Sequence, residues 1–322
     1  MYAETYTGIN ALLIGASKLL VAEGIKRETR GNVCYELPEP AMFKITNPMA
    51  REVTIPIRKW NSILPYAESL WIASGRNDMD YIVHYVNRMM DFSDDGVFMR
   101  GGYGPRYRDY NGLAEDYQIE TINVRQNGSV DQLRYIIECF QAERETRRAV
   151  ISFGDPMKDD FDENGNLKIT KDIPCTRELH FMKQSDSNKL DLIVRMRSND
   201  LIWGTSAVNV FNYTFMQEYV AAMLNMEVGN YYHIADNLHY YERHKEMVHK
   251  LANLDEWEET PVSKKKTFKT LHEFDDLITR LSEEESKMRR GMKEYKVTSF
   301  VDDFFQHWYE KLYRFNQDKV SE

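Results

Sequence analysis

Positive charge is in short supply in this 322-residue chain: 42 lysines and arginines stand against 51 aspartates and glutamates, for a formal charge of −9. Nucleic-acid binders carry a basic face or stripe, so the balance argues against a nucleic-acid partner. Any anionic ligand has to be met by a local cluster of arginines. Cysteine is scarcer still. Cys34, Cys139 and Cys175 are odd in number and irregularly spaced, which suits neither a disulfide framework nor a zinc site; a reducing cytoplasm is the expected setting. No stretch approaches the ~18 apolar residues of a membrane span. The opening "MYAETYTGINALLIGASKLL" carries an early acid and too short an apolar run for a signal peptide. Internal repeats and low-complexity tracts are lacking too. What is present is 42% hydrophobic and 12% aromatic residues, enough for a substantial core in one large domain or two ordinary ones.

Periodicity organises the chain. Residues 8 to 24 read as an amphipathic helix with Ile9, Leu12, Leu13, Ala16 and Leu20 on one face and Gly24 near its end. "NVCYELPEPAMFKITNP" reads as extended, and "PYAESLWIASG" as an apolar helix interrupted by Glu68. "DQLRYIIECFQAERETRR" predicts a second helix, running to the Arg147–Arg148 pair. "AVISF", "RELHFM" and "LDLIVRMRS" have the short alternating or apolar pattern of strands. "DDFDENGNLKIT" imitates the first half of a calcium loop, but Lys171 stands where a bidentate glutamate is required, so it reads as a polar turn. "VFNYTFMQEYVAAMLNM" predicts a long apolar helix, and "YYHIADNLHYYERH" a strand, a turn and a helix start. Beyond residue 255 the composition turns charge-rich, with helices expected over 271–295 and 300–315. The last carries Phe300, Phe304, Phe305, Trp308, Leu312 and Phe315 near one face, and that stripe needs a packing partner, either the rest of the chain or another protein.

The polar residues that interrupt these patterns form an inventory with chemical meaning. Cys175, in "IPCTRELHF", precedes the arginine-rich "RMRSNDLIWG" by about twenty residues. A thiol beside fixed positive charge is held partly as the nucleophilic thiolate, whereas a free cysteine elsewhere is commonly a small buried hydrophobe. Arginines with a serine can hold a phosphate dianion. A carboxamide and a carboxylate can read a base edge, and histidine and tyrosine can reach sugar hydroxyls.

Taken in order, "AESLW", "YGPRY", "ETRRAVIS", "IPC", "RMRSND" with Gly204, and "HIADNLHYYERH" resemble the landmarks of the thymidylate synthase and pyrimidine-nucleotide hydroxymethylase family over roughly residues 10 to 255. The resemblance implies an α/β (α+β) protein of the thymidylate synthase fold, a large twisted mixed sheet with surrounding helices, in a catalytic domain over 1–255 followed by a helical C-terminal extension over 256–322. It implies that Cys175 adds to carbon 6 of a pyrimidine nucleotide. Glu68 would organise water and proton transfer, and Tyr107 would stand near the nucleophile. Arg197 and Ser198 of one protomer, with Arg147 and Arg148 of its neighbour, would hold the phosphate in a homodimer with shared sites. Arg30, in "ETRGN", resembles a further phosphate arginine, with Arg27 as the alternative. His239 and Tyr241 resemble the ribose pair, Asn209 the base-reading amide with Asn212 the weaker candidate, and Asp200 the carboxylate that meets the folate pterin. The implied one-carbon donor is 5,10-methylenetetrahydrofolate.

Three departures bear on the reaction, the first on the base and the other two on the product. "GTSAVNVFNY" has one residue more than the family's Gly-x-Pro-Phe-Asn segment and no proline. Phe92, in "NRMMDFSDD", falls where synthases have tryptophan beside the folate. The synthase closing tail has no recognisable counterpart. The expectation is therefore hydroxymethylation of dUMP or dCMP ahead of reductive methylation of dUMP to dTMP, because a site open to water lets water complete the reaction. A relative that only binds nucleotide is the non-enzyme alternative.

Overall fold

In the computed structural model, which describes residues 1–29, 31–121 and 128–321, the strands are β1 (Tyr2–Tyr6), β2 (Ile25–Thr29), β3 (Asn32–Glu36), β4 (Ala41–Ile45), β5 (Val150–Ser152), β6 (Thr176–Lys183), β7 (Lys189–Met196), β8 (Asn199–Asp200), β9 (Glu227–Ala235) and β10 (Leu238–Tyr241). The helices are α1 (Ile9–Glu23), α2 (Leu64–Ala73), α3 (Met79–Tyr85), α4 (Tyr103–Arg108), α5 (Gln132–Ala142), α6 (Pro156–Asp159), α7 (Val210–Met223), α8 (Lys245–Ala252), α9 (Leu271–Gly291) and α10 (Asp303–Ser321). These elements gather into two compact units, each drawn from separate stretches of chain.

The first unit takes residues 1–65, 175–221 and 226–263. Its larger sheet runs β1-β4-β9-β7-β6 and is mixed, because β1 lies parallel to β4 and β7 parallel to β9 while the other neighbours are antiparallel. A smaller sheet, β2-β3-β10-β8, sets Asn199 opposite Leu238 and Asp200 opposite His239. The α1 stripe read from the sequence is buried throughout. Every residue of helix α7 from Val210 to Val220 is buried, the polar Asn212, Thr214, Gln217 and Glu218 among them, so this mostly apolar helix is covered on all sides. Arg51 is nevertheless buried here, because it pairs with Glu218 and lies over the Phe215 ring at 5.1 Å. Residues 256–263 also belong to this unit. Asn10 Nδ2 donates to the Glu258 carbonyl at 3.0 Å, and the Ala11 amide donates to Glu259 at 2.8 Å.

The second unit takes residues 66–174, 222–225 and 264–322. The stripe on α10 is buried inside it: Phe304, Phe305, Trp308 and Leu312 are each at most 2% exposed. Trp308 Nε1 donates to the Tyr66 carbonyl at 2.8 Å, and Phe305 packs edge-on against Phe268 and Phe274. The chain therefore supplies the partner this stripe needs. Helix α10 starts at Asp303 rather than at Phe300, because Asp302 Oδ1 accepts from the Phe305 amide and caps the helix. Helix α5 stops at Ala142, several residues before the Arg147–Arg148 pair expected at its end. Glu143 turns extended there, and the Thr146 amide bonds the Glu143 carbonyl instead of continuing the helix.

Candidate active site

Hairpin β6–β7 brings the cysteine and the arginine together. Its antiparallel register sets Thr176 opposite Met196, so Cys175 and Arg197 sit side by side just beyond the paired ends. The Arg197 amide donates to the Cys175 carbonyl at 2.9 Å, and Arg197 Nη2 donates to Cys175 Sγ at 3.9 Å. A register shift between Thr176 and Glu178 interrupts the ladder at this end, the kind of bulge that re-aims a side chain next to a site. Cys175 and Arg197 are both half-buried, as is Ser198. A guanidinium at this distance favours thiolate over thiol.

Beyond Arg197 the chain crosses to the smaller sheet. His239 on β10 is buried, its Nδ1 is 2.9 Å from Asn237 Oδ1, and its ring meets that of Tyr241 edge-on at 5.2 Å. Burial is the largest influence on its pKa and pulls it below the ordinary value, against the raising effect of Asp200 and Glu36. Asp200 Oδ1 caps the next helix by accepting from the Ile202 amide at 2.8 Å. Its Oδ2 is buried and has no hydrogen-bond partner among the described residues. Such an atom is met by an ordered water, an ion or a ligand.

Residues 201–209 form a π-helix that runs directly into α7. A π-helix has wider turns than an α-helix and occurs frequently at functional sites. Asn209 closes this π-helix and is buried, with Oδ1 accepting from Asn199 Nδ2 at 2.9 Å. Asn212, the weaker candidate, is buried one turn further along α7. Asn199 Oδ1 in turn meets His233 Nε2 at 2.8 Å and the Thr205 hydroxyl.

Sequence reasoning gave no site role to Asn199, His233 or Arg58, although the six-residue step from His233 to His239 was part of the resemblance. Arg58 is buried, donates to the Ile202 carbonyl at 2.6 Å and to Ser206 Oγ at 3.0 Å, and is pulled down to about 10 by burial against the Asp200 charge. The signal for Asn199 was its place inside "RMRSND". Nothing in the local pattern around Arg58 pointed to it.

Of the remaining candidates, Glu68, Phe92, Tyr107, Arg147 and Arg148 belong to the second unit. Glu68 is buried on α2, Tyr107 is fully buried on α4, and Phe92 is half-buried at the end of a 3-10 turn over Asn87–Phe92. Arg147 and Arg148 are exposed. Arg30 lies outside the described residues; the alternative, Arg27, is exposed on β2 and pairs with Glu36 at 3.0 Å. Among the described residues no group of three or more histidine, cysteine or acidic side chains could hold a metal ion, and no helix is long and apolar enough to cross a membrane.

The family model described as "Thymidylate synthase" matches residues 19–297. The chain belongs to the thymidylate synthase family. Within it, the chain is 36% identical over 241 residues to a deoxyuridylate hydroxymethyltransferase of Bacillus phage SP01, covering 75% of this chain and 59% of that protein. It is 33% identical over 241 residues to a protein of the same name from Pseudomonas phage M6, covering 75% of this chain and 61% of the other. A thymidylate synthase of Bacillus licheniformis is 34% identical over 134 residues, 41% of this chain and 44% of that one. The match thus spans about three fifths of the length of the phage relatives. The mixed α/β architecture with its large mixed sheet agrees with the expected fold.

Proposed function

We propose that the protein transfers a one-carbon unit to carbon 5 of a pyrimidine nucleoside monophosphate, dUMP before dCMP, and that the product carries a hydroxymethyl group. The supporting observation is Cys175 Sγ at 3.9 Å from Arg197 Nη2 in a chain similar over three quarters of its length to phage deoxyuridylate hydroxymethyltransferases.

Cys175 attacks carbon 6 of the ring as thiolate, favoured by Arg197, and the addition makes carbon 5 a nucleophile. Arg197 and Ser198 hold the phosphate with charge-assisted hydrogen bonds, joined by Arg30 and by Arg147 and Arg148 of a second protomer in a homodimer. His239 and Tyr241 hold the ribose and Asn209 reads the base. Glu68 organises water and moves protons, and Tyr107 is assigned to the reaction of the nucleophile. These roles rest on the match of residues to the family's motifs. 5,10-Methylenetetrahydrofolate, when bound, supplies the one-carbon unit. The orphaned Asp200 Oδ2 is an acceptor suited to the pterin's N–H groups, and Phe92 is assigned to the same ligand. Residues 256–322 are read as an extension of the catalytic domain, and the cytoplasm as the place of work.

Thymidylate synthesis is the second reading, favoured by the likeness to the Bacillus licheniformis enzyme. Mass spectrometry of the nucleotides formed from dUMP and, in parallel, from dCMP with methylenetetrahydrofolate, read beside absorbance for dihydrofolate, separates the two. A hydroxymethyl-sized gain without dihydrofolate is expected. A methyl-sized gain with one dihydrofolate per turnover would make the protein a synthase, and no gain with either base would leave a nucleotide-binding relative.

A further inference from the structure

We infer that Tyr231, His233, Asn199 and Thr205 form a buried relay that fixes the Asn209 amide with its NH2 group as the donor left for the base, and that this orientation selects uracil over cytosine. The inference rests on the site reading given above. Tyr231 Oη lies 2.9 Å from His233 Nδ1, His233 Nε2 lies 2.8 Å from Asn199 Oδ1, and Asn199 Nδ2 donates to Asn209 Oδ1 at 2.9 Å. The Thr205 hydroxyl donates to the same Asn199 oxygen. Tyr231, His233 and Thr205 are at most 1% exposed.

A chain of amides and an imidazole can in principle be set two ways, with every donor and acceptor exchanged. Two hydroxyl groups decide between them. Tyr231 Oη meets only His233, and Thr205 Oγ1 only Asn199, among the described residues. If His233 carried its proton on Nδ1 and both amides were turned, each hydroxyl would become an acceptor, and its own proton would be buried without a partner. A buried orphaned donor disfavours a state by roughly tenfold or more, and this setting has two. The surviving setting has the proton on His233 Nε2, Asn199 Oδ1 accepting twice, and Asn209 Oδ1 accepting from Asn199. Asn209 Nδ2 then has no acceptor among the described residues and is not one of the sealed, orphaned atoms. Gly204 makes room for the contact, since a Cβ there would lie 2.6 Å from Asn199 Nδ2 and 2.8 Å from Asn209 Oδ1. Uracil offers a carbonyl oxygen at carbon 4, where cytosine offers an amine. A fixed NH2 group bonds the first and opposes the second.

The His233 tautomer is read by nitrogen-15 NMR of the unmodified protein, with His233→Gln to assign the signal; an Nε2–H, bare-Nδ1 ring is expected, and an Nδ1–H ring overturns the relay. Calorimetric titration with dUMP and with dCMP, without folate, reads selectivity. Asn199→Asp offers only acceptors, forces Asn209 to turn its NH2 inward, and is expected to move the dUMP-to-dCMP affinity ratio towards dCMP by about tenfold or more. Asn199→Ala releases Asn209 and is expected to bring the ratio towards one. Equal weakening of both nucleotides in the two variants, with the ratio unchanged, would reduce Asn199 to a structural residue and overturn the proposal. Should either variant not fold, the tautomer in the unmodified protein still decides. An unmodified protein that binds neither nucleotide overturns the functional reading as well, whereas dUMP binding with an Nδ1–H ring overturns the relay alone.

Discussion

At the residue scale, Cys175 owes its position to strand register. The β6–β7 hairpin ends with Thr176 opposite Met196, which leaves the cysteine beside Arg197 with a backbone hydrogen bond locking the pair. The phosphate, ribose and base contacts are assigned to other residues, so Cys175→Ala is expected to lower kcat by several orders of magnitude while the dUMP Kd stays within a fewfold. Steady-state turnover and titration calorimetry check this; near-normal turnover would rule out a covalent mechanism. His233 gives a second residue-level expectation. Burial between neutral neighbours, Tyr231 and Asn199, pulls its pKa down to about 4, whereas in the unfolded chain it titrates near its ordinary ~6.5. Between those values the unfolded state binds the proton and the folded state does not, so stability is complete above about pH 6.5 and lost as pH falls towards 4. The full loss is about 3 kcal/mol. His239, shifted in the same direction by burial, adds to it. His233→Gln keeps a donor for Asn199 and does not titrate. Urea unfolding at pH 7 and pH 4.5 should therefore show a smaller acid-induced loss in the variant than in the unmodified protein.

At the element scale, the parts legible in the sequence are those whose burial follows one period. The α1 stripe and the alternation along β9, where inward residues from Gly229 to Ala235 are buried at every second position, were readable. So was the apolar face of α10. Strands β1 and β2 were not, because their residues are largely exposed and carry no alternation; pairing with β4 and β3 makes them strands. The Cys175–Arg197 pairing was legible because one hairpin makes it. The Asn199–His233 contact was not, since it depends on β7 lying parallel to β9 and β8 parallel to β10, a topology that no local window contains. Burial of the α10 stripe carries its own expectation. Trp308 is fully buried and bonds the Tyr66 carbonyl, so Trp308→Ala should cost about 3–5 kcal/mol. Val301→Ala, at a side chain 90% exposed, should stay within about 0.5 kcal/mol. Denaturant unfolding of the two variants measures both. Equal, small effects would mean that the stripe serves a partner and not the chain's own core.

At the scale of the whole molecule, charge frames the question of how a nucleotide is held. A chain of net charge −9 repels an anionic nucleotide at long range, so capture depends on a few arginines concentrated at one place. Arg197 lies beside the nucleophile and is half-buried. Arg147 and Arg148 are exposed in the segment between α5 and β5, beyond the end of α5, so the favourable end of that helix dipole does not account for them. The proposed homodimer gives the pair a task, completing the partner's phosphate site. Complementation reads this out without a structure of the dimer. Cys175→Ala and Arg148→Glu protomers are each expected to be inactive alone. If the arginine acts on the neighbouring protomer, a hybrid dimer places both lesions in one site and leaves the other intact. With full subunit exchange about half the dimers are hybrids and half of their sites work, which gives about a quarter of normal activity. Exchange is verified by mass spectrometry of differently tagged protomers. Verified hybrids with background activity would place Arg148 in the same protomer's site, and activity of Arg148→Glu alone would remove it from the phosphate site altogether.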